Sequence, residues 1–212
     1  VYREWAPGAT AMHLIGDFNN WNRTSHPMKA VGNGNWEIEI PGVRTLKHRG
    51  KVKVAVTSPR GTEDRIPLYA TYVVQDEKTH NFSAAIWNPR KEFVWTDEKF
   101  RPKKNVPPLI YEAHVGMATE EERVGTYLEF MRDILPRIKK DGYNTVQLMA
   151  IMEHPYYASF GYQVSNFFAA SSWYGTPDDL KALINEAHAL GLSVLLDLVH
   201  SHAVKNTAEG IN

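Results

Sequence analysis

The sequence contains no cysteine among its 212 residues. Disulfide bonds and thiolate catalysis are therefore excluded, and this composition favours a reducing compartment. Long apolar runs are also missing, since none reaches the ~20 residues that a membrane-spanning helix needs. Charge of one sign is not in excess, because 24 basic residues balance 24 acidic ones. We therefore expect neither nucleic acid nor a membrane as a partner.

The first part of the chain has the pattern of short β-strands. Residues 36–40 and 51–56 alternate apolar and charged side chains, as half-buried strands do. Residues 11–15 and 71–74 are further short strand candidates. Turn residues at 32–35 are glycine and asparagine, which tolerate positive φ. The pattern predicts a small antiparallel β-sandwich.

Residues 97–108 differ in character from what precedes them, because they are charged and end in two prolines. This composition predicts a connector between two domains. Its basic residues Arg101, Lys103 and Lys104 could bind phosphate, but a solvated linker is the favoured interpretation.

The remaining chain alternates strands and helices. Residues 109–115 form a first strand candidate, and apolar residues at helical spacing follow from Tyr127 to Ile138. Pro136 either kinks this helix or begins a second segment. Residues 144–149 are the second strand. A long loop then runs from 150 to 175, and loops of that length are usually functional or disordered. Its many aromatic residues disfavour disorder.

The second helix begins at a clear N-terminal signal, with Thr176 as N-cap and Pro177 in the first turn. The run 193–199 is nearly all apolar, which predicts a strand covered on both faces. A helix end, a glycine and a short apolar strand occur twice, around Gly142 and Gly191. This repeat favours a parallel sheet, either open or barrel-shaped.

Asp197 interrupts the apolar run of the last strand, and His200 and His202 follow it. A buried carboxylate needs a partner or an open strand end, and ligands bind at the carboxyl ends of parallel strands. A ligand-contacting role is therefore favoured over a structural one. A zinc site using these histidines with Glu153 and His154 is disfavoured, because no strict metal motif is present.

Carboxylates and aromatic residues near this strand end leave alternatives open. A glycosidase needs two carboxylates, and composition alone cannot select a pair from Glu112, Glu153 and Asp197. Aromatic rings at Phe160 and Tyr162 suit sugar stacking and packing within the loop equally well.

Several longer motifs resemble the 1,4-α-glucan branching enzymes of the α-amylase superfamily, in their eukaryotic type. The motifs lie at residues 4–8 (EWAPG), 16–22 (GDFNNWN), 110–116 (IYEAHVG), 135–138 (LPRI), 147–154 (QLMAIMEH), 158–163 (ASFGYQ) and 197–202 (DLVHSH).

The resemblance implies a multi-domain β plus α/β protein. Residues 1–96 would be an immunoglobulin-like β-sandwich, a carbohydrate-binding module of the glycogen-binding type. Residues 97–108 would be the linker, and 109–212 the first three βα units of a (β/α)8 TIM barrel. The chain starts at Val1 rather than Met, and we expect it to be the N-terminal portion of a longer enzyme.

The same resemblance implies an activity and a partner. Such enzymes cleave α-1,4-glucan through a covalent intermediate and transfer the chain to a 6-hydroxyl, which forms an α-1,6 branch. The partner would be glycogen, amylose or amylopectin, with no cofactor and no metal. The location would be cytoplasmic, or plastidial in a plant.

Substrate-binding residues also follow from the resemblance. Tyr162 would stack under the sugar at the cleavage point, and Asp197 and His202 would line the same subsite. The segment from Trp5 to Pro7 would contribute to a glucan-binding groove. The turn with Asn33 and Asn35 would do so too, although many relatives carry an aromatic and a basic residue there.

No catalytic residue is assigned in this chain, because the family's nucleophile and acid/base lie on later strands, beyond Asn212. Neither Glu112 nor Glu153 is promoted to those roles. We expect the chain alone to be inactive and to need the remainder of its own barrel. The alternative is a stand-alone glucan-binding module without catalysis.

Overall fold

The computed structural model describes residues 1–42 and 45–205, which form two compact units. The β unit comprises Val1–Arg90 and Ser165–Ala169, together with residues 203–205. The α/β unit comprises Lys91–Val164 and Ala170–His202. The boundary after Arg90 precedes the expected one at residue 96. Residues 206–212 of the expected barrel portion lie outside the described residues.

Strands of the β unit pair antiparallel in two sheets. One sheet has the order β1-β4-β3, and the other has β2-β5-β8-β7 with β6 beside β5. The strands are β1 (Tyr2–Trp5), β2 (Ala11–Gly16), β3 (Lys29–Gly32), β4 (Asn35–Ile38), β5 (Lys51–Ser58), β6 (Gly61–Arg65), β7 (Val73–Gln75) and β8 (Phe82–Ala85).

The two sheets share a hydrophobic core. Met12 and Leu14 from β2 and Val54 from β5 are buried, and Trp36 and Ile38 from β4 pack against them. Alternation along β2 and β5 places these side chains on one face, which the second sheet covers. The short strands predicted from alternation are therefore present and pack as layers.

The α/β unit contains a parallel sheet with the order β9-β10-β13. This arrangement confirms the parallel pairing predicted from the repeated helix–glycine–strand unit. The elements that follow Arg90 are, in chain order, β9 (Ile110–Ala113), α1 (Tyr127–Glu129), α2 (Leu135–Lys140), β10 (Thr145–Leu148), β11 (Met152–Glu153), β12 (Asn166–Ala170), α3 (Pro177–Ala189) and β13 (Ser193–Leu196). All of them lie in the α/β unit except β12, which falls mainly within the residues 165–169 of the β unit.

A π-helical segment, Phe130–Ile134, separates α1 from α2. Pro136 lies in the first turn of α2, where its missing N–H needs no partner within the helix. The wider turn before it absorbs the disruption that proline causes. The structure thus favours the second of the two interpretations of Pro136, a new helical segment, although that segment begins at Leu135, one residue before the proline.

The last strand is shorter and more exposed than predicted. β13 ends at Leu196, and Leu195 and Leu196 are 43% and 44% exposed. Among the described residues β13 pairs only with β10, so it is an edge strand. The expectation of a strand buried on both faces was wrong because a sheet edge lacks the second neighbour that such burial requires.

The first part of the predicted linker packs on a helix instead of standing free in solvent. Asp97 Oδ2 lies 2.5 Å from His188 Nδ1 on α3. The Phe100 ring stacks on the same imidazole at 4.1 Å between centroids.

No helix in the described residues is long and apolar enough to span a membrane.

The start of α3 follows its sequence signal closely. Thr176 Oγ1 accepts a hydrogen bond from the Asp179 N–H at 3.3 Å, and Asp179 Oδ2 accepts one from the Thr176 N–H at 2.8 Å. This reciprocal pair satisfies two backbone donors that a helix start leaves without partners.

Replacing Thr176 by alanine is expected to lower the free energy of unfolding by about 1 kcal/mol, because the Asp179 N–H loses its acceptor. Urea denaturation followed by far-UV circular dichroism measures this loss. Thr71→Ala is the control, since Thr71 is exposed and caps no helix. Equal losses in the two variants would contradict the capping role.

Candidate functional site

Polar side chains converge where the parallel strands end. Gln147 on β10 lies opposite Glu112 on β9, and its Nε2 donates to Glu112 Oε1 at 2.9 Å. Asp197 directly follows β13, and its backbone N–H donates to the Leu148 carbonyl at 3.0 Å. Strand pairing therefore places Glu112 and Asp197 near the carboxyl end of the sheet.

Tyr162 comes to the same place from the long loop. Burial raises the pKa of its hydroxyl, and the negative charges of Asp197 and Glu112 raise it further, as does a hydrogen bond to Asp197. The tyrosine is still 38% exposed. The structure thus brings Tyr162 and Asp197 together, with an accessible aromatic surface beside a carboxylate.

A tight turn sets the position of Tyr162. Its N–H donates to the Ser159 carbonyl at 3.0 Å, and Phe160 and Gly161 have φ values of 54° and 87°. A Cβ built on Gly161 would lie 2.0 Å from the Ala150 carbonyl oxygen. Only glycine fits this close approach at positive φ.

His114, directly after β9, contacts this turn through Phe160. Its Nδ1 accepts the Met117 N–H at 3.1 Å, which leaves the proton of the neutral ring on Nε2. Burial lowers the pKa of His114, while a hydrogen bond to the Phe160 backbone opposes that shift. The imidazole therefore stays neutral and links β9 to the turn before Tyr162. Sequence reasoning missed this residue.

Glu153 is fully buried behind the loop. Its oxygens accept the His154 N–H at 3.0 Å and the Ser172 N–H at 2.8 Å. Burial raises the pKa of Glu153 to about 7, and these backbone donors lower it only in part. A carboxyl group without solvent exposure cannot reach a substrate, so its role is structural.

His202 lies in a turn after β13 and is exposed. Within the described part of the chain, it makes no hydrogen bond or salt bridge with Tyr162 or Asp197. The structure therefore joins two of the three residues expected at this subsite, and the third is only near in sequence to Asp197.

A second candidate surface lies on the β unit. Trp5 on β1 pairs with Asn35 on β4, and the Ala6 N–H donates to the Gly34 carbonyl at 2.8 Å. A Cβ on Gly34 would lie 2.8 Å from Pro7 Cβ and 3.1 Å from Trp5 Nε1. The segment from Trp5 to Pro7 is thus in close contact with the turn at residues 32–35. The Trp5 residue is 53% exposed.

The turn supplies amide groups to this surface. Asn33 adopts a positive φ of 53° and is exposed. Asn35 Nδ2 donates to the Gly32 carbonyl at 3.3 Å, which fixes the amide. The structure therefore gathers Trp5, Pro7, Asn33 and Asn35 on one surface. An exposed indole beside amides can stack on a sugar ring and bond its hydroxyls.

No group of three or more His, Cys, Asp or Glu side chains in the described ranges is arranged to hold a metal ion.

Two family matches cover most of the chain. Residues 1–70 match Carbohydrate-binding module 48 (isoamylase N-terminal domain). Residues 113–209 match the alpha amylase catalytic domain. The first match lies within the β unit, and the second begins at the end of β9.

Curated relatives match along the whole chain. It is 52% identical to a 1,4-alpha-glucan-branching enzyme of Rhizophagus irregularis, over all of this chain and 32% of that enzyme. It is 51% identical to the 1,4-alpha-glucan-branching enzyme 2-2, chloroplastic/amyloplastic, of Arabidopsis thaliana, over all of this chain and 27% of that enzyme. The chain thus spans about a third or less of the length of these relatives.

Solved structures share the fold at low identity. A pullulanase from Bacillus acidopullulyticus superposes with a TM-score of 0.76 at 22% identity, over 98% of this chain and 29% of that chain. The catalytic module of the glycogen-degrading pneumococcal virulence factor SpuA gives 0.68 at 18% identity, over 92% of this chain and 35% of that chain. These similarities support the fold alone.

Proposed function

We propose that the chain is the N-terminal part of a 1,4-α-glucan-branching enzyme, because it is similar along its whole length to enzymes of that name and because residues 113–209 match the alpha amylase catalytic domain. The whole protein would cleave α-1,4-glucan and transfer the cut chain to a 6-hydroxyl. Its substrates would be glycogen, amylose or amylopectin, and its location the cytoplasm or a plastid.

The β unit would serve as the carbohydrate-binding module, with an immunoglobulin-like sandwich fold. Its two-sheet core and the match at residues 1–70 support this assignment. Trp5 would stack on a glucose ring, and Asn33 and Asn35 would bond its hydroxyls. Pro7 would complete the apolar side of this surface.

The α/β unit would form the first three strands of a (β/α)8 barrel. The observation that carries the proposal is the pairing of Tyr162 with Asp197 at the carboxyl end of parallel strands, where barrel enzymes bind their ligands. The Tyr162 ring would form the platform under a glucose unit. Asp197 would accept hydrogen bonds from that sugar, and His202 would approach the same subsite when the rest of the barrel is present.

We assign no catalytic carboxylate within the chain. A retaining glycosidase holds two carboxyl groups ~5 Å apart on opposite sides of the bond to be cleaved. Glu153 is fully buried, and Glu112 is engaged by Gln147. The nucleophile and the acid/base would come from strands of the same barrel that follow this chain.

We expect the 212-residue chain, incubated alone with amylose, to form no α-1,6 branches and to release no reducing ends. Isoamylase digestion measures the branches, and a reducing-sugar assay measures released ends; iodine staining reports any loss of long linear chains. An active branching enzyme is the positive control. Reproducible turnover by the purified chain would contradict the assignment of catalysis to other strands.

The match of residues 113–209 to a catalytic domain disfavours a stand-alone glucan-binding module. Both ideas predict glucan binding without turnover. Adding the downstream coding sequence separates them, since only the enzyme proposal predicts that the extended protein gains activity.

A further inference from the structure

A cavity of about 700 Å³ opens at the amino ends of the parallel strands, opposite the end with Tyr162. It lies between the segment before β9 and the two loops that lead into β10 and β13. Four cationic side chains line it, and no aspartate or glutamate of the described chain does: Lys99, Arg101, Lys103 and Lys139. This local excess contrasts with the zero net charge of the whole sequence.

The repeated helix–glycine–strand unit builds the floor of this cavity. Gly142 and Gly191 occupy equivalent places with φ values of 89° and 73°. A Cβ on Gly142 would meet nothing within 4 Å, and one on Gly191 would lie 3.5 Å from Lys139 Nζ. The two glycines leave space that side chains would otherwise fill, and the Lys139 ammonium group lies over the second glycine.

The wall that carries Arg101 is fixed in place. Arg101 Nη1 donates to the carbonyls of Glu98 and Phe100 at 2.8 and 2.6 Å. Phe100 stacks on His188, which in turn contacts Asp97. The guanidinium therefore keeps its remaining donors in a set position. Preorganised donors lose less entropy when they bind an anion.

We propose that this cavity binds the phosphate monoester of a sugar. A dianionic phosphate complements four cations without a competing carboxylate, and guanidinium and ammonium groups are its usual partners. Inorganic phosphate would fill only part of the volume, which lies in the range of small-molecule sites. The Ser193 hydroxyl and the Tyr143 ring, which also line the cavity, suit the sugar part. This inference is independent of the proposed function.

Isothermal titration of the 212-residue chain with glucose 6-phosphate, at low and high salt, tests the proposal. Saturable binding is expected, with an affinity that falls as salt rises. Glucose should not bind this site. Inorganic phosphate should bind more weakly than the ester. A phosphorylated glucan serves as the second ester source, and its competition with glucose 6-phosphate shows whether the site accepts polymer-borne phosphate or only the free sugar phosphate.

Lys139→Met is the main variant, because Arg101 also supports its own backbone segment. Loss of one charged contact should weaken glucose 6-phosphate binding at least about tenfold. Lys140→Met is the matched control, since Lys140 is the adjacent exposed lysine and does not line the cavity. Thermal melting checks that both variants fold. Absent binding, equal binding of glucose, or equal weakening by both variants would overturn the proposal.

Discussion

Alanine at Gly161 is expected to destabilise the α/β unit by about 3 kcal/mol and to displace Tyr162. Positive φ costs an L-residue about 1–2 kcal/mol, and forcing an extra methyl into a packed site costs about 1–3 kcal/mol more. Both apply here, because φ is 87° and the new Cβ would lie 2.0 Å from the Ala150 carbonyl oxygen. The backbone must shift, and the turn that ends at Tyr162 must shift with it.

Gly142→Ala is the matched control for this change. Gly142 has nearly the same φ, 89°, but nothing lies within 4 Å of a Cβ built on it. It should therefore show the backbone cost alone, about 1–2 kcal/mol. Urea denaturation gives both values. Equal losses in the two variants would show that contact with Ala150 does not constrain the turn.

Glu153 is expected to make stability fall as pH rises. Its folded-state pKa, about 7, lies above the unfolded model value of 4.5. The folded state therefore holds a proton that the unfolded state releases. The resulting stabilisation is fully present below pH ~4.5 and is lost as pH rises through ~7, on the order of 3 kcal/mol in total.

Two buried histidines are expected to make stability rise with pH, opposite to the effect of Glu153. Burial lowers the pKa values of His114 and His154. Their contribution is present above the unfolded value of about 6.5 and is lost as pH falls. The pH profile of the unmodified protein therefore mixes two opposed effects in overlapping windows. A neutral variant at position 153 is needed to separate them.

Glu153→Gln removes the titrating group and leaves the histidines. The free energy of unfolding of the unmodified chain minus that of the variant should fall by about 2–3 kcal/mol between pH 5 and pH 8.5. Glu122→Gln, which changes an exposed carboxylate, should give a difference that stays flat. A flat difference for Glu153→Gln as well would contradict the buried, protonated state.

Local sequence signals were sufficient to predict several features of the fold. Thr176, Pro177 and the following aspartates specify a helix start within one turn, and the reciprocal cap is present. The two helix–glycine–strand units likewise specified parallel pairing, because each repeats the same apolar strand after a left-handed glycine. Such signals depend on neighbours in sequence, so the sequence contains them directly.

Features that depend on distant partners could not be predicted in this way. His114 contacts Phe160 of the long loop, 46 residues further along the chain, and no spacing rule links the two positions. The burial of Glu153 depends on the Ser172 backbone, far along the chain. Leu195 is exposed because β13 lies at the edge of its sheet. The apolar sequence of a strand does not show whether the strand is at the edge or at the centre of a sheet, so this exposure could not be predicted.

The candidate site was predicted in part. Asp197 was selected because it interrupts an apolar run, and Tyr162 was selected from the family resemblance. The structure places the two residues together. Gln147 was not considered, although strand register sets it beside Glu112. A polar residue inside a buried strand is the signal that would have found it, as it did for Asp197.

The central claim is that Tyr162 and Asp197 form a glucan-binding subsite. Isothermal titration with maltoheptaose tests it in a Trp5→Ala background, so that the surface on the β unit contributes little. Tyr162→Ala should weaken binding about tenfold, the effect of losing about 1.4 kcal/mol of stacking. Tyr156→Ala, an exposed tyrosine of the same loop, should leave the affinity unchanged. Equal affinities for the two variants would contradict the claim.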